Sequence, residues 1–131
     1  MKAQSTAELA PILLIEDEPS VTAFLRAALE RRGYAVANAS SGAQGLDMLN
    51  GGKFSGVISD IRMPGAVNGA EVHAWIQKNR PELCARIILI SGDTANSETQ
   101  AFLAQSGTPC IEKPFRVQQL MSIVEKIFGK P

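Results

Sequence analysis

ILLIEDEPSVTAFLRAALERRG, residues 12–33, holds side by side the two patterns that decide the fold. Ile12 to Ile15 is an apolar run too short for a helix and unbroken by a polar residue, which is how a strand covered on both faces reads. Helical period follows. Pro19 suits a first helical turn, Val21, Phe24, Leu25, Ala28 and Leu29 recur at the spacing of one buried stripe, and Gly33 can close the helix in the left-handed conformation. Between the two patterns stand Glu16, Asp17 and Glu18, at the carboxyl end of the strand.

Working outward, the same alternation of short apolar run and helical segment recurs along the chain. Tyr34 to Ala39 reads as a second strand. Ser41 and Gln44 stand at capping-box spacing before a helix carrying Ala43, Leu46 and Leu49, which Gly51 and Gly52 end. Phe54 to Ser59 is the third strand. The loop IRMPGAVNG then leads to a helix with Val72, Trp75 and Ile76 inward that stops before Pro81. Ile87 to Ile90 is the fourth strand. The segment after it, about 95–105, is weakly apolar with Ala101 and Phe102 as anchors, so this helix is expected to be the least firmly packed. Cys110 to Glu112 is a short fifth strand, and Leu120, Ile123, Val124 and Ile127 stripe a last helix from about Val117 to Phe128. Five strand–helix pairs predict an α/β fold of the flavodoxin-like (βα)5 type, a doubly wound parallel sheet in the order 2-1-3-4-5. Residues 1–10 read as a tail and 11–129 as one domain, with any output module expected on another chain.

Composition excludes several classes of function. The chain has 131 residues, 45% of them apolar, enough for one packed core. Its 13 basic and 13 acidic residues balance, with no basic run, which argues against nucleic acid and anionic membranes as partners. No apolar run reaches the length of a membrane span, and the N-terminus lacks the apolar core of a signal peptide, so a cytoplasmic location is expected. Cys84 and Cys110 fall on neighbouring strands offset by about four residues, roughly 13 Å at ~3.3 Å per residue, beyond disulfide reach. Thiols buried in the core are the expectation.

In a 2-1-3-4-5 sheet the first and third strands lie side by side at the centre, and ligands bind beyond their carboxyl ends. Glu16 and Asp17 end the first strand, Asp60 follows the third, Ser91 ends the fourth and Lys113 the fifth. Three converging carboxylates repel one another unless a cation sits among them, and oxygen ligands with open water positions suit Mg²⁺. Asp60 can then act as a nucleophile toward phosphorus, with Lys113 neutralising charge and the Ser91 hydroxyl donating to a phosphoryl oxygen. Gly92 leaves space for a phosphate to approach.

ILLIEDEP (12–19), VISDIRMPG (57–65), ILISGD (88–93) and IEKPF (111–115) together resemble the signature regions of bacterial response-regulator receiver domains, in the right order, over about Pro11 to Phe128. The resemblance implies that Glu16 and Asp17 are the acidic pair, Asp60 the phosphoacceptor, Ser91 the switch hydroxyl and Lys113 the phosphate-contacting lysine. It also implies that the backbone carbonyl of Arg62 coordinates Mg²⁺. A histidine kinase or histidine phosphotransfer protein would supply the phosphoryl group. A downstream protein would read the fourth helix, fifth strand and fifth helix, and the domain would assist its own phosphorylation and dephosphorylation rather than turn over a substrate. Two features depart from the family pattern: Cys110 stands where Tyr or Phe is usual, and the loop MPGAVNG is one residue longer than the commonest form, resembling single-domain receivers and those of hybrid histidine kinases.

Alternatives remain open from the residues alone. A small Mg²⁺-dependent phosphatase of the haloacid-dehalogenase type also uses an Asp nucleophile with Ser and Lys partners, and a pure interaction module could keep the fold without phosphorylation. The chain could equally be a receiver excised from a hybrid histidine kinase. His73, the only histidine, reads as a surface or boundary residue and not a phosphodonor; Trp75 reads as core or its margin. Arg62 and Asp93, each two residues beyond a site residue, are expected to pair across the mouth of the site.

Overall fold

The computed structural model describes residues 10–62, 67–92 and 95–131. Its elements alternate along the chain: β1 (Ile12–Ile15), α1 (Pro19–Arg31), β2 (Val36–Ala39), α2 (Gly42–Gly51), β3 (Gly56–Asp60), α3 (Gly69–Asn79), β4 (Ile87–Ser91), α4 (Ser97–Ser106), β5 (Cys110–Glu112) and α5 (Val117–Phe128), with a 3-10 turn at Pro81–Leu83. The strands form one parallel sheet in the order β2-β1-β3-β4-β5, the doubly wound order expected from the alternation.

Because successive strand residues point to opposite faces, the sheet divides the core in two. Ile12, Leu14, Ile58, Ile88 and Ile90 meet Leu25 and Leu29 of α1 and Leu120, Met121 and Val124 of α5. Leu13, Ile15, Val57, Ile87 and Leu89 meet Leu49 of α2 and Val72 and Ile76 of α3. At about 25 cal/mol per Å² of apolar surface, each such side chain stabilises the fold by roughly 1.5–3 kcal/mol, so β1, β3 and β4, buried at every position, are the rigid frame.

Local chemistry sets the helix ends. Pro19 occupies the first turn of α1, and Gly33 just beyond its end has φ +99°. Ser41 accepts from the Gln44 backbone N–H, while the Gln44 side chain reaches back to the Ser40 N–H, one residue earlier than a strict capping box. Asn68 and Glu71 form a full capping box on α3. Sequence period missed this because the cap lies inside a loop read for its chemistry.

Several expectations need correction. β2 begins at Val36 rather than Tyr34, and β3 at Gly56 rather than Phe54, ending on Asp60 itself. Phe24 is 40% exposed and leans on Phe115, and Ala43 is exposed, since each sits at the edge of its helix stripe rather than at its centre. Trp75 is half-buried. On α4, Ala101 is exposed, Phe102 and Leu103 are half-buried, and the one buried side chain is Thr99. His73 is buried, not a surface residue, because α3 turns it toward α4. Cys84 and Cys110 are free thiols, half-buried rather than fully enclosed.

Candidate functional site

Strand register gathers the polar residues. Ile15 pairs with Ser59, so Glu16 and Asp17 emerge beside Asp60; Asp60 pairs with Ile90 and Ser91 with Glu112, so the ends of four adjacent strands open on one edge. The Lys113 N–H donates to the Ser91 carbonyl at 2.8 Å, which fixes the lysine one residue beyond β5 and aims it back across β4.

Asp60 is only 5% exposed and both its carboxylate oxygens are engaged. Oδ1 accepts the Arg62 backbone N–H at 3.1 Å, and Oδ2 accepts from Lys113 Nζ at 2.7 Å. Glu16 is buried beside it. Its Oε2 accepts the Glu18 N–H at 3.1 Å, while Oε1 lies 3.4 Å from Lys113 Nζ and has no hydrogen bond among the described residues. Glu18 reaches the same ammonium from outside, Oε1 to Nζ at 3.5 Å. Oxygens of Glu16, Asp17 and Asp60 all lie within 4.8 Å of one another.

Electrostatics follow from this crowding. Burial pushes the Glu16 carboxyl up to about 7; the Glu18 N–H bond opposes the shift, Asp60 adds to it and Lys113 subtracts. Burial alone would lower the Lys113 pKa, but the hydrogen bond and charge of Asp60, with Glu16 and Glu18, outweigh it and raise it. Lys113 is therefore an ammonium at neutral pH. At an effective dielectric constant of about 20, two like charges this far apart repel by on the order of 3 kcal/mol, and one lysine does not offset three carboxylates. A buried carboxylate oxygen with no hydrogen-bond donor among the described residues, within an all-oxygen cluster, fits a hard divalent cation such as Mg²⁺.

The structure thus brings Glu16, Asp17, Asp60 and Lys113 together, with Ser91 fully buried at the end of β4. Arg62 contributes its N–H to Asp60; the expected Arg62–Asp93 pair lies outside the described residues, as does most of the MPGAVNG loop. Two contributors escaped the sequence reading. Glu18 is an outer partner of Lys113. Gly69, at the start of α3, donates its N–H to the Ile61 carbonyl, and a Cβ there would lie 2.5 Å from the Asp60 carbonyl oxygen. The glycine lets α3 pack directly against the backbone that carries Asp60; the sequence signal for it was the Asn-Gly pair at the loop's end. Beside Lys113 opens a mostly apolar groove walled by Val21, Phe24, Pro114 and Phe115.

This edge, on this sheet, is that of a signalling receiver. The response regulator receiver domain model matches residues 12–125, and the chain belongs to that family of two-component systems, whose members interact with histidine kinases and downstream effectors. Among its relatives, the response regulator receiver protein CpdR of Brucella abortus (strain 2308) is 32% identical over 116 residues, covering 88% of this chain and 94% of CpdR. The sensor kinase CckA of the same strain is 30% identical over 131 residues, 98% of this chain but 14% of CckA. The response regulator TrrA of Thermotoga maritima, solved in complex with Mg²⁺-BeF, superposes with a TM-score of 0.77 at 30% identity, over 90% of this chain and 98% of that one. The chain spans less than half the length of the first curated relatives it matches. Membership in the receiver family supersedes the phosphatase alternative. Among the described residues no helix is long and apolar enough to cross a membrane.

Proposed function

We propose that this domain is the phosphoacceptor of a phosphorelay, taking a phosphoryl group on Asp60 from a phosphohistidine of a histidine kinase or histidine phosphotransfer protein. The observation that carries this is the contact of a buried Asp60 with Lys113 at 2.7 Å inside a three-carboxylate cluster. Glu16, Asp17 and Asp60, with the Arg62 backbone carbonyl, would hold Mg²⁺, which when bound offsets the negative charge of the phosphoryl oxygens.

The chain's own groups do the rest. An Asp60 carboxylate oxygen attacks phosphorus; an O–P bond forms as the donor's N–P bond breaks, and the electron pair leaves on the imidazole nitrogen, which takes up a proton. Lys113, held as an ammonium, pairs with a phosphoryl oxygen in place of part of its present bond to Asp60. The Ser91 hydroxyl donates to another oxygen. Burial of Asp60 limits water at the acyl phosphate, which favours a lasting mark over rapid turnover and so a switch rather than an enzyme. Movement of Ser91 biases α4, β5 and α5 toward a state that a downstream protein binds, supported by the thin packing of α4.

Intact mass after incubation with acetyl phosphate and Mg²⁺ tests the reading. One added phosphoryl group is expected, lost in Asp60→Asn and in EDTA; undiminished labelling of Asp60→Asn would overturn it.

A further inference from the structure

His73 has no part in the phosphoryl chemistry, yet it is 5% exposed in the core side of α3. Its Nε2 lies 3.0 Å from the Thr108 hydroxyl on the segment that leads into β5. Its ring meets Phe102 of α4 edge to face, at 5.5 Å between centroids and 86° between planes. One imidazole therefore ties α3 both to α4 and to the segment between α4 and β5. Both α4 and β5 are thinly buried: Thr99 is the one buried side chain of α4, beside the half-buried Phe102 and Leu103, and β5, an edge strand paired only with β4, has three residues, of which only Ile111 is buried.

We propose that His73 is the pin of a proton-sensitive latch: its neutral ring fastens α4 and the segment leading into β5 onto α3, and protonation releases them. A neutral imidazole can accept the Thr108 hydroxyl proton and rest against the Phe102 ring with no charge to solvate. An imidazolium in the same place can only donate, so the Thr108 hydroxyl must turn to accept, and its charge must be stripped of water, which is the larger cost. Opening α4 re-exposes the ring to water at far lower cost than unfolding the sheet, so the protonated state relaxes locally. Charged or titratable groups on the surrounding elements are Glu71 and Lys78 on α3, Arg62 two residues beyond β3, Glu98 on α4, and Cys110 and Glu112 on β5. None of them perturbs His73, whose pKa is lowered by burial alone. The latch acts on unphosphorylated protein and does not depend on the Asp60 assignment.

Two measurements on the unphosphorylated full chain test it. Proton NMR titration of this lone histidine should give a midpoint below the ordinary 6.5. Amide exchange over 97–110, corrected for the intrinsic pH effect, should speed up by about threefold or more between roughly pH 7.5 and pH 5.5, while 12–15 and 56–60 stay protected. His73→Phe keeps the ring packing and cannot titrate, so this pH step should vanish. Thr108→Val, a milder change, should raise exchange over 97–110 already at about pH 7.5. A midpoint at or above 6.5, an equal pH step in His73→Phe, or unchanged exchange in Thr108→Val each overturns the latch.

Discussion

α4 and α5 are neighbours in sequence and similar in length, but they are held very differently. α5 buries Leu120, Met121, Val124 and Phe128 against the sheet, and its end is tied down by the Tyr34 hydroxyl donating to the Gly129 carbonyl and by Arg86 donating to the Phe128 carbonyl. α4 buries only Thr99 and leans on the half-buried Phe102 and Leu103. The contrast separates two tasks. A nucleophile needs a frame that does not move, which β1, β3 and α5 supply; a reporter of its state needs an element whose alternative positions cost little, which α4 supplies.

The largest effect expected belongs to the frame side: Asp60→Asn abolishes labelling by acetyl phosphate while leaving the denaturation midpoint nearly unchanged, as read by mass and by urea unfolding. Loss of the fold together with the label would mean that Asp60 is structural. Next, Leu120→Ala should destabilise by about 2–5 kcal/mol, the cost of a cavity in a packed face, whereas Phe102→Ala should cost only about 1–2 kcal/mol because its ring is only partly buried. Equal losses in urea denaturation would erase the distinction between the helices.

Gly69→Ala sharpens the comparison at the site itself. A methyl 2.5 Å from the Asp60 carbonyl oxygen forces α3 and β3 apart, so about 1–3 kcal/mol of stability should go, with slower labelling as well. Normal labelling kinetics would show that α3 does not position Asp60. Smallest is the effect of pH on global stability through His73. Its folded pKa lies below the unfolded 6.5, so the unfolded chain binds more protons in that window; the stabilisation is full above 6.5 and is lost as pH falls from there through the folded value. Urea midpoints measured across this window should slope more steeply for the unaltered chain than for His73→Phe.

Much of this was legible in the residues. Unbroken runs such as Ile12 to Ile15 admit no solvent face, so they had to be interior strands, and strands of that kind separated by helical segments leave few topologies open. Topology in turn placed Glu16, Asp17, Asp60, Ser91 and Lys113 on one edge, since the carboxyl ends of parallel strands all point the same way. What stayed hidden depended on side-chain direction between helices. His73 sits one position from Val72 in the apolar stripe, and only the approach of α4 decided that it faces inward rather than to solvent.

Periodicity along one chain thus determined the parallel sheet and narrowed its order to a few, of which the common 2-1-3-4-5 gathers the acidic residues, because those follow from local pattern and handedness. Tertiary structure decided that Lys113 spans Asp60, Glu16 and Glu18, that Gly69 must lack a side chain, and that a histidine on α3 meets both α4 and the segment leading into β5. Those outcomes are set by distances between elements far apart in sequence, and no periodicity within a single element encodes them.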